Sequence, residues 1–558
     1  MKNHDSRYYG LLFGILMLFL FAFMIQEHLK PIKTKPLMGY FLEPEKPEFR
    51  WEWYKNGYFQ ARVEKYIANK YGFREPIIRM YHQYSWDLFS KEYVSYIHSG
   101  KERWLFYGHN IDDYYGTEMY QWYPDAEAAR KGYEQEVRLL NKVRGVLADY
   151  DVTLLTFVAP SKSIIYPEYL PTRESDTTTL SARDYLTRRF EETGMPCFDM
   201  NEYFLRMKDT CSFFLFPPTG DHWNFSCVYA TDSLMRFMES LRGIEMPRIV
   251  YGGELHDSCR IGDDQNRDLE GELNLLRPIR FDPKFAYKER DYHTVCDTNT
   301  VKPAALFVGN SFLLRSIAYL PPKEVFSDFQ FWYYNRVAYQ GVDQKLVDSV
   351  KFLNRLDYLL DAAYVVWYSS SSQLYRATEG FAEDAIIALC VGDERFRHRQ
   401  QEVADSLGLD ESGRNQLAQQ MRKDPEAYFP EIAGEGVPEA RNPLLSDGDY
   451  WTRRDLRRQV KGDPQWMTAV TNTMVAENLS LQQAIDLEVE RVARGEVPLR
   501  DKVLSPEEYR EIQIRQMEQK IRYDAEWFKA IEREAVEKGI PVDEWVHENA
   551  VYMVDTQQ

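Results

Sequence analysis

Val152-Thr-Leu-Leu-Thr-Phe-Val158 is an unbroken run rich in β-branched and aromatic side chains, and Ala159-Pro-Ser-Lys-Ser163 follows it at once. A run of this length, closed by a proline, reads as a strand buried on both faces. Just upstream, Ala128, Tyr133, Val137, Leu140, Val143 and Leu147 recur at helical spacing and predict a helix from about Asp125 to Leu147. Helix followed directly by a doubly buried strand is the unit of an α/β layer.

Working outward, the alternation continues. Helices are expected near 180–193, from about Val228 to Leu241 and near Gln344–Leu359, with strands at Met195–Met200, Ala304–Val308 and Ala363–Trp367. This pattern predicts an α/β fold: a mostly parallel sheet with helices on both faces, whose ligands gather at the carboxyl ends of the strands.

The whole chain has 558 residues, 69 basic against 87 acidic, and a formal charge of -18, which argues against a nucleic-acid partner. Residues 381–558 alone hold 36 acidic and 23 basic side chains, so most of the imbalance lies in a charged, helical carboxy-terminal region. That region contains a repeat at an offset of 61. Asp463-Pro-Gln-Trp466 and its continuation to Val470 match the segment from Asp524 and Trp527 to Ile531, and the match extends to Leu481 and Val542. Two copies of a helix-turn-helix unit account for it, each Asp capping a helix and a second cap lying near Ser480 and Pro541.

At the other end, Tyr8 to Gln26 is a run of 19 uncharged residues. That is enough to cross a hydrocarbon core of about 30 Å, and no small-residue cleavage site follows it. The expectation is an uncleaved signal anchor: residues 1–27 form a short cytoplasmic tail and transmembrane helix, 28–95 a juxtamembrane arm, 96–380 the catalytic domain and 381–558 the helical region. Six cysteines lack any C-x-x-C spacing, which removes a zinc ribbon or thioredoxin motif and leaves disulfide pairing open.

Three predicted strand ends carry polar groups suited to chemistry. Gly309-Asn310-Ser311-Phe312 follows the strand Ala304–Val308 and offers a serine at a strand-to-helix turn, with backbone N–H groups beside it. Thr219-Gly220-Asp221-His222-Trp223-Asn224 supplies a histidine with a carboxylate neighbour; a serine nucleophile needs such a base and an orienting carboxylate. Lys162, in Ala159-Pro-Ser-Lys-Ser163, could meet an anionic or carbonyl group. Gly108-His109-Asn-Ile-Asp112-Asp113 matches no metal-ligand spacing and reads as a loop with Asx turns. No metal-ligand cluster and no phosphate-binding glycine loop stand out, and nothing calls for a cofactor.

Taken in order, Trp104-Leu-Phe-Tyr-Gly108, Ala159-Pro-Ser-Lys-Ser-Ile-Ile-Tyr-Pro-Glu-Tyr-Leu-Pro171, Thr219-Gly-Asp-His-Trp-Asn224 and Val308-Gly-Asn-Ser-Phe312 resemble the alginate O-acetyltransferase family, AlgJ/AlgX type, of the SGNH hydrolase-like superfamily. The resemblance covers about residues 100–375 and implies an SGNH hydrolase-like sheet. It implies Ser311 as nucleophile, His222 as base and Asp221 as orienting acid, with Gly309, Asn310 and Lys162 around the oxyanion or substrate. It further implies an extracytoplasmic O-acetyltransferase, periplasmic or at the cell surface. The enzyme would take acetyl groups from a membrane-bound O-acyltransferase and pass them through a serine ester to an exported or cell-surface polysaccharide.

One departure concerns the acid: the family writes Asp two residues before the His, where this chain has Gly220. Asp221 orients His222 through a turn shifted by one residue, or another carboxylate does, or the triad is degraded. Two rivals accompany the transferase reading: an esterase using the same Ser311 and His222, and a non-catalytic polysaccharide-binding scaffold for the acyltransferase.

Overall fold

The computed structural model describes residues 2–39, 45–172, 181–252, 255–257, 267–279, 286–288, 292–317, 319–340, 345–477, 479, 481–501, 505–523 and 525–556. At its centre is a seven-stranded sheet: β1 (Thr153–Ala159), β2 (Cys197–Asp199), β3 (Ala304–Gly309), β4 (Asp328–Tyr333), β5 (Val337–Gln340), β6 (Lys345–Ser349) and β7 (Tyr364–Ser370). The spatial order is β6-β5-β4-β3-β7-β1-β2. Strands β4, β3, β7, β1 and β2 run parallel, and β5 and β6 extend the β4 edge antiparallel.

Side chains leave a strand alternately to its two faces, so a doubly covered strand must be apolar throughout. Leu154 and Val158 of β1, Leu306 and Val308 of β3, and Val365 and Trp367 of β7 join one apolar cluster with helices Ala126–Ala148, Ala182–Thr193 and Arg355–Asp361. Their neighbours Leu155, Phe157, Ala305, Phe307, Val366 and Tyr368 join the other, with helices Asn201–Lys208, Cys227–Arg242 and Ser311–Ile317. The α/β reading therefore holds, with a sheet that is mixed but mostly parallel.

Two local expectations are corrected. Gln344 falls outside the described residues, but the rest of the helix expected at Gln344–Leu359 divides into strand β6, a 3-10 turn at Val350–Phe352 and a helix only from Arg355. The segment Leu346-Val-Asp-Ser-Val350 fits either period, and pairing with β5 decides it. Likewise Gly108–Tyr115, expected as a loop, is a helix.

The expected boundary at residue 381 lies inside the main core. Phe381–Val391 is buried along its whole length except for Asp384, and Phe396, Leu417, Met421, Phe429 and Leu445 join the same cluster. Buried Lys142 pairs with Glu426 and donates to Ile432 O at 2.7 Å, tying this segment to helix Ala126–Ala148. The helical units with small cores of their own begin at Gly448, and the first packs on the main core through Tyr450 and Trp451.

They comprise helices Gly448–Gly462, Pro464–Glu477 and Leu481–Ala493, then Pro506–Tyr523, Ala525–Lys538 and Val542–Thr556. The repeat is thus a three-helix unit, one helix larger than the sequence pattern suggested. Its two small cores correspond at the same offset of 61: Val460 with Ile521, Val470 with Ile531, Ile485 with Val546. Asp463 caps its helix by accepting from Gln465 N and Trp466 N at 2.9 and 3.1 Å, whereas Asp524 and Ser480 lie outside the described residues.

At the amino terminus, one helix spans Lys2–Leu29. Its segment Tyr8–Leu29 is long and apolar enough to cross a membrane, by length and composition. Of the six cysteines, the five described are all free thiols.

Candidate active site

The parallel strands β3, β7 and β1 end side by side, and the polar sequence at each end meets there. Strand β3 must approach β7 closely at its last residue: a Cβ on Gly309 would lie 2.6 Å from Tyr368 O. Gly309 is thus required for packing. Asn310 is buried, and its side chain faces back into the strand ends. Its Nδ2 donates to Ser370 Oγ at 3.0 Å and Gln373 Oε1 at 3.2 Å, and its Oδ1 accepts from Phe312 N at 3.1 Å. These bonds set the turn that delivers Ser311 as the first residue of helix Ser311–Ile317.

Ser311 Oγ lies 2.8 Å from His222 Nε2, and His222 Nδ1 lies 2.5 Å from Asp268 Oδ2. The imidazole packs 5.0 Å from the Phe312 ring, centroid to centroid. Serine, histidine and carboxylate form one hydrogen-bonded line, the geometry a base-activated nucleophile requires. The carboxylate is not Asp221. Adjacent side chains diverge, and Asp221 turns inward, where its Oδ1 accepts from Asn110 Nδ2 at 2.5 Å. Asp221 still serves the line through its backbone, whose N–H donates to Asp268 Oδ1 at 2.8 Å.

Asp268 opens the short helix Asp268–Glu272, 46 positions after His222, and Oδ1 also accepts from Leu269 N at 3.0 Å. One carboxylate oxygen is therefore held by two backbone N–H groups and the other is left for the histidine. Sequence reasoning did not single this residue out, since a lone aspartate among 87 acidic residues carries no spacing signal. Only the helix start at Asp268 marks it.

Burial works to lower the pKa of His222, but the hydrogen bond and charge of Asp268, with Asp221 further off, outweigh it and hold the ring above its ordinary value. For Asp268, burial works upward; the hydrogen bond and charge of His222, the Asp221 N–H and the Arg315 charge prevail, so the carboxyl is held below its ordinary value. Each partner favours the charged form of the other.

Lys162 does not face this cleft. It is fully buried, and Nζ donates to Leu105 O, Pro218 O and Gly220 O at 2.7, 2.8 and 2.7 Å. It also lies 5.1 and 5.0 Å from the Trp104 and Phe106 ring centroids. Burial pushes its pKa down to about 7, against the raising charges of Asp221 and Asp268. Lys162 thus ties the strand Leu105–Tyr107 to the turn that carries His222, and three accepting carbonyls use all the donors of an ammonium. Nearby, His109 stacks on Tyr107 at 5.1 Å, with Nε2 buried and unpaired. Among the described residues, no group of three His, Cys, Asp or Glu is placed to hold a metal ion.

Residues 97–242 match the family model described as the SGNH hydrolase-like domain of acetyltransferase AlgX. The matched stretch contains Lys162, Asp221 and His222, while Asp268 and Ser311 lie beyond it. No curated protein matches the chain.

Among solved structures, the O-acetyltransferase domain of Pseudomonas putida AlgJ is similar with a TM-score of 0.33 and 16% identity, over 50% of this chain and 92% of that one. Pseudomonas aeruginosa AlgX is similar with a TM-score of 0.33 and 13% identity, over 52% of this chain and 67% of that one. Bacillus cereus PatB1 gives 0.29 and 12%, over 45% and 92%. Over residues 97–242, the chain is similar to the SGNH hydrolase-like acetyltransferase domain of the AlgX type.

Proposed function

We propose that this protein is an extracytoplasmic O-acetyltransferase that carries acetyl groups on Ser311 to hydroxyls of an exported or cell-surface polysaccharide. Ser311 is the nucleophile, His222 the base and Asp268 the group that orients the base. The observation that carries the reading is the unbroken line Ser311 Oγ, His222 Nε2 and Nδ1, Asp268 Oδ2.

In the first half-reaction Oγ attacks the acetyl carbonyl while Nε2 takes the Oγ proton. The tetrahedral oxyanion collapses, the donor's leaving group departs with the proton from Nε2, and an acetyl ester remains on Ser311. In the second half an acceptor hydroxyl gives its proton to Nε2 as its oxygen attacks the ester carbonyl. Collapse returns the proton to Oγ and releases the acetylated sugar. Backbone N–H groups beside Gly309 and Ser311 would stabilise both oxyanions; the Asn310 side chain, committed to Ser370 and Gln373, would hold their turn.

The segment Tyr8–Leu29 is the membrane anchor in this reading, and the acetyl donor is a membrane-bound O-acyltransferase. The test is the intact mass of the full chain after exposure to p-nitrophenyl acetate, beside Ser311→Ala and His222→Ala. One added acetyl group, mapped to Ser311 and missing from both variants, is expected. A folded parent that neither gains acetyl nor releases acetate would overturn the reading; rapid acetate release without transfer to any sugar would make the protein an esterase.

A further inference from the structure

The carboxylate that faces His222 stands on helix Asp268–Glu272, which is five residues long. A turn this short has no stability of its own, so the position of Asp268 is set by whatever holds the turn. Leu269 and Leu273 are buried in a small core with Trp86, Ile97, Leu105 and Ile279. Glu270 N donates to Thr219 O at 3.1 Å, and Tyr107 Oη donates to Glu272 Oε1 at 2.7 Å. Helix Arg74–Phe89 supplies Trp86; its His82 Nδ1 donates to Leu273 O at 2.8 Å, and its Gln83 Oε1 accepts from Arg277 N at 2.8 Å.

Residues 32–38, an irregular segment that follows the apolar amino-terminal helix, lie against the same helix Arg74–Phe89 and end on the turn that carries Asp268. At the start, Gln26 holds Ile32 through both amide atoms: Nε2 donates to Ile32 O at 2.6 Å and Oε1 accepts from Ile32 N at 3.2 Å. Thr34 Oγ1 then donates to Glu75 Oε2 at 3.1 Å, and Arg79 Nη2 donates to Pro36 O at 2.8 Å. At the far end Asn274 repeats the grip of Gln26. Its Oδ1 accepts from Met38 N at 2.8 Å, and its Nδ2 donates to Met38 O and Glu272 O, each at 2.9 Å. Asn274 is buried at φ +53°, a conformation that asparagine adopts more readily than most residues. The Met38 side chain covers Gly271, where a Cβ would stand 2.8 Å from Met38 Cε.

We infer that residues 32–38 form a strap that positions the orienting carboxylate: clamped by Asn274, they hold helix Asp268–Glu272, and with it Asp268 Oδ2, against His222. The inference rests on Asp268 as the orienting group of the proposed triad. Asn274 and Arg79 are positioning residues, acting through Asp268. Because Gln26 belongs to the apolar helix, a chain of hydrogen bonds and short backbone links runs from that helix to the triad.

The test follows release of p-nitrophenol from p-nitrophenyl acetate by the full chain across pH, for Asn274→Ala, Arg79→Met and Asp268→Asn, and for each of the first two combined with Asp268→Asn. Arg79→Met frees the strap at Pro36, an exposed residue, and leaves Asn274 in place, so it decides the matter if Asn274→Ala does not fold. Each strap variant alone should lower kcat about tenfold with KM unchanged, as a displaced orienting group does. The acid limb should move to lower pH as well. Burial lowers the His222 pKa and Asp268 raises it, with Asp221 and Arg315 the other charges that act on the ring. In the Asp268→Asn background the same changes should cost less than about twofold, since the group they position is gone. An equal loss in both backgrounds, or an acid limb that stays where the parent has it, overturns the inference and leaves the triad standing. Activity of Asp268→Asn itself within about tenfold of the parent refutes the triad instead, and the role of the strap with it.

Discussion

Replacing Asp268 by Asn tests the triad most sharply, because the structure dictates how the amide must sit. Oδ1 of Asp268 accepts from Asp221 N at 2.8 Å and Leu269 N at 3.0 Å, so in Asp268→Asn the amide oxygen keeps that place. The amide nitrogen then faces His222 Nδ1 as a donor. Nδ1 must accept, the ring proton moves to Nε2, and Nε2 can no longer take a proton from Ser311 Oγ. In serine triads an error of this tautomeric kind costs about 10⁴ in kcat, or about 5.5 kcal/mol.

An activated ester with a good leaving group relieves the acid step, so a loss of about 10³ is expected in release of p-nitrophenol. Asp221→Asn, whose carboxylate meets Asn110 and not the ring, should stay within about tenfold of the parent. With His222 as the proposed neutral base and its pKa held above the ordinary value, activity is expected to be lost as pH falls through that raised pKa. Without the Asp268 charge, burial dominates and the acid limb of the residual activity moves to lower pH. If Asp268→Asn retains activity within tenfold of the parent, or Asp221→Asn loses more, Asp268 is not the orienting group.

Lys162→Met leaves three buried carbonyls without their donor, at about 3–6 kcal/mol in all, and a thermal melt should show a drop of about 10 °C together with a lower kcat as the His222 turn loosens. Gly309→Ala forces β3 from β7 at Tyr368 O and should cost about 1–3 kcal/mol in denaturant unfolding, whereas the same change at the open Gly434, exposed to no contact but held at φ +100°, tests backbone strain alone. Removal of residues 505–558 takes away one complete three-helix unit and should leave acetyl-enzyme formation intact in the intact-mass assay. Removal from residue 381 strips Phe381, Ile386, Ile387, Leu389 and Val391 from the main core, on the order of 10 kcal/mol of burial and comparable to a whole domain's stability, so that protein should be recovered aggregated.

The strands at Val152–Val158, Ala304–Val308 and Ala363–Trp367 were legible because continuous apolar runs have few other places to go, and the serine and histidine because turns at strand ends carry their own residue signals. The apolar helix at the amino terminus was equally plain from length and composition. Residues whose partners lie far along the chain were not legible. Asp268 becomes the neighbour of His222 only because the chain returns across 46 positions to place a helix start beside the Gly220–His222 turn. Lys162 looked like a loop lysine, but its direction is set by Leu105 O and Pro218 O, more than fifty residues away on either side. The charged segment after residue 381 read as a separate region because its composition changes there, yet Phe381–Val391 completes the core beneath helix Ala126–Ala148. Periodicity and turn chemistry are local properties and sequence alone determines them; which carboxylate meets which ring, and which helix closes which core, are decided by long-range packing.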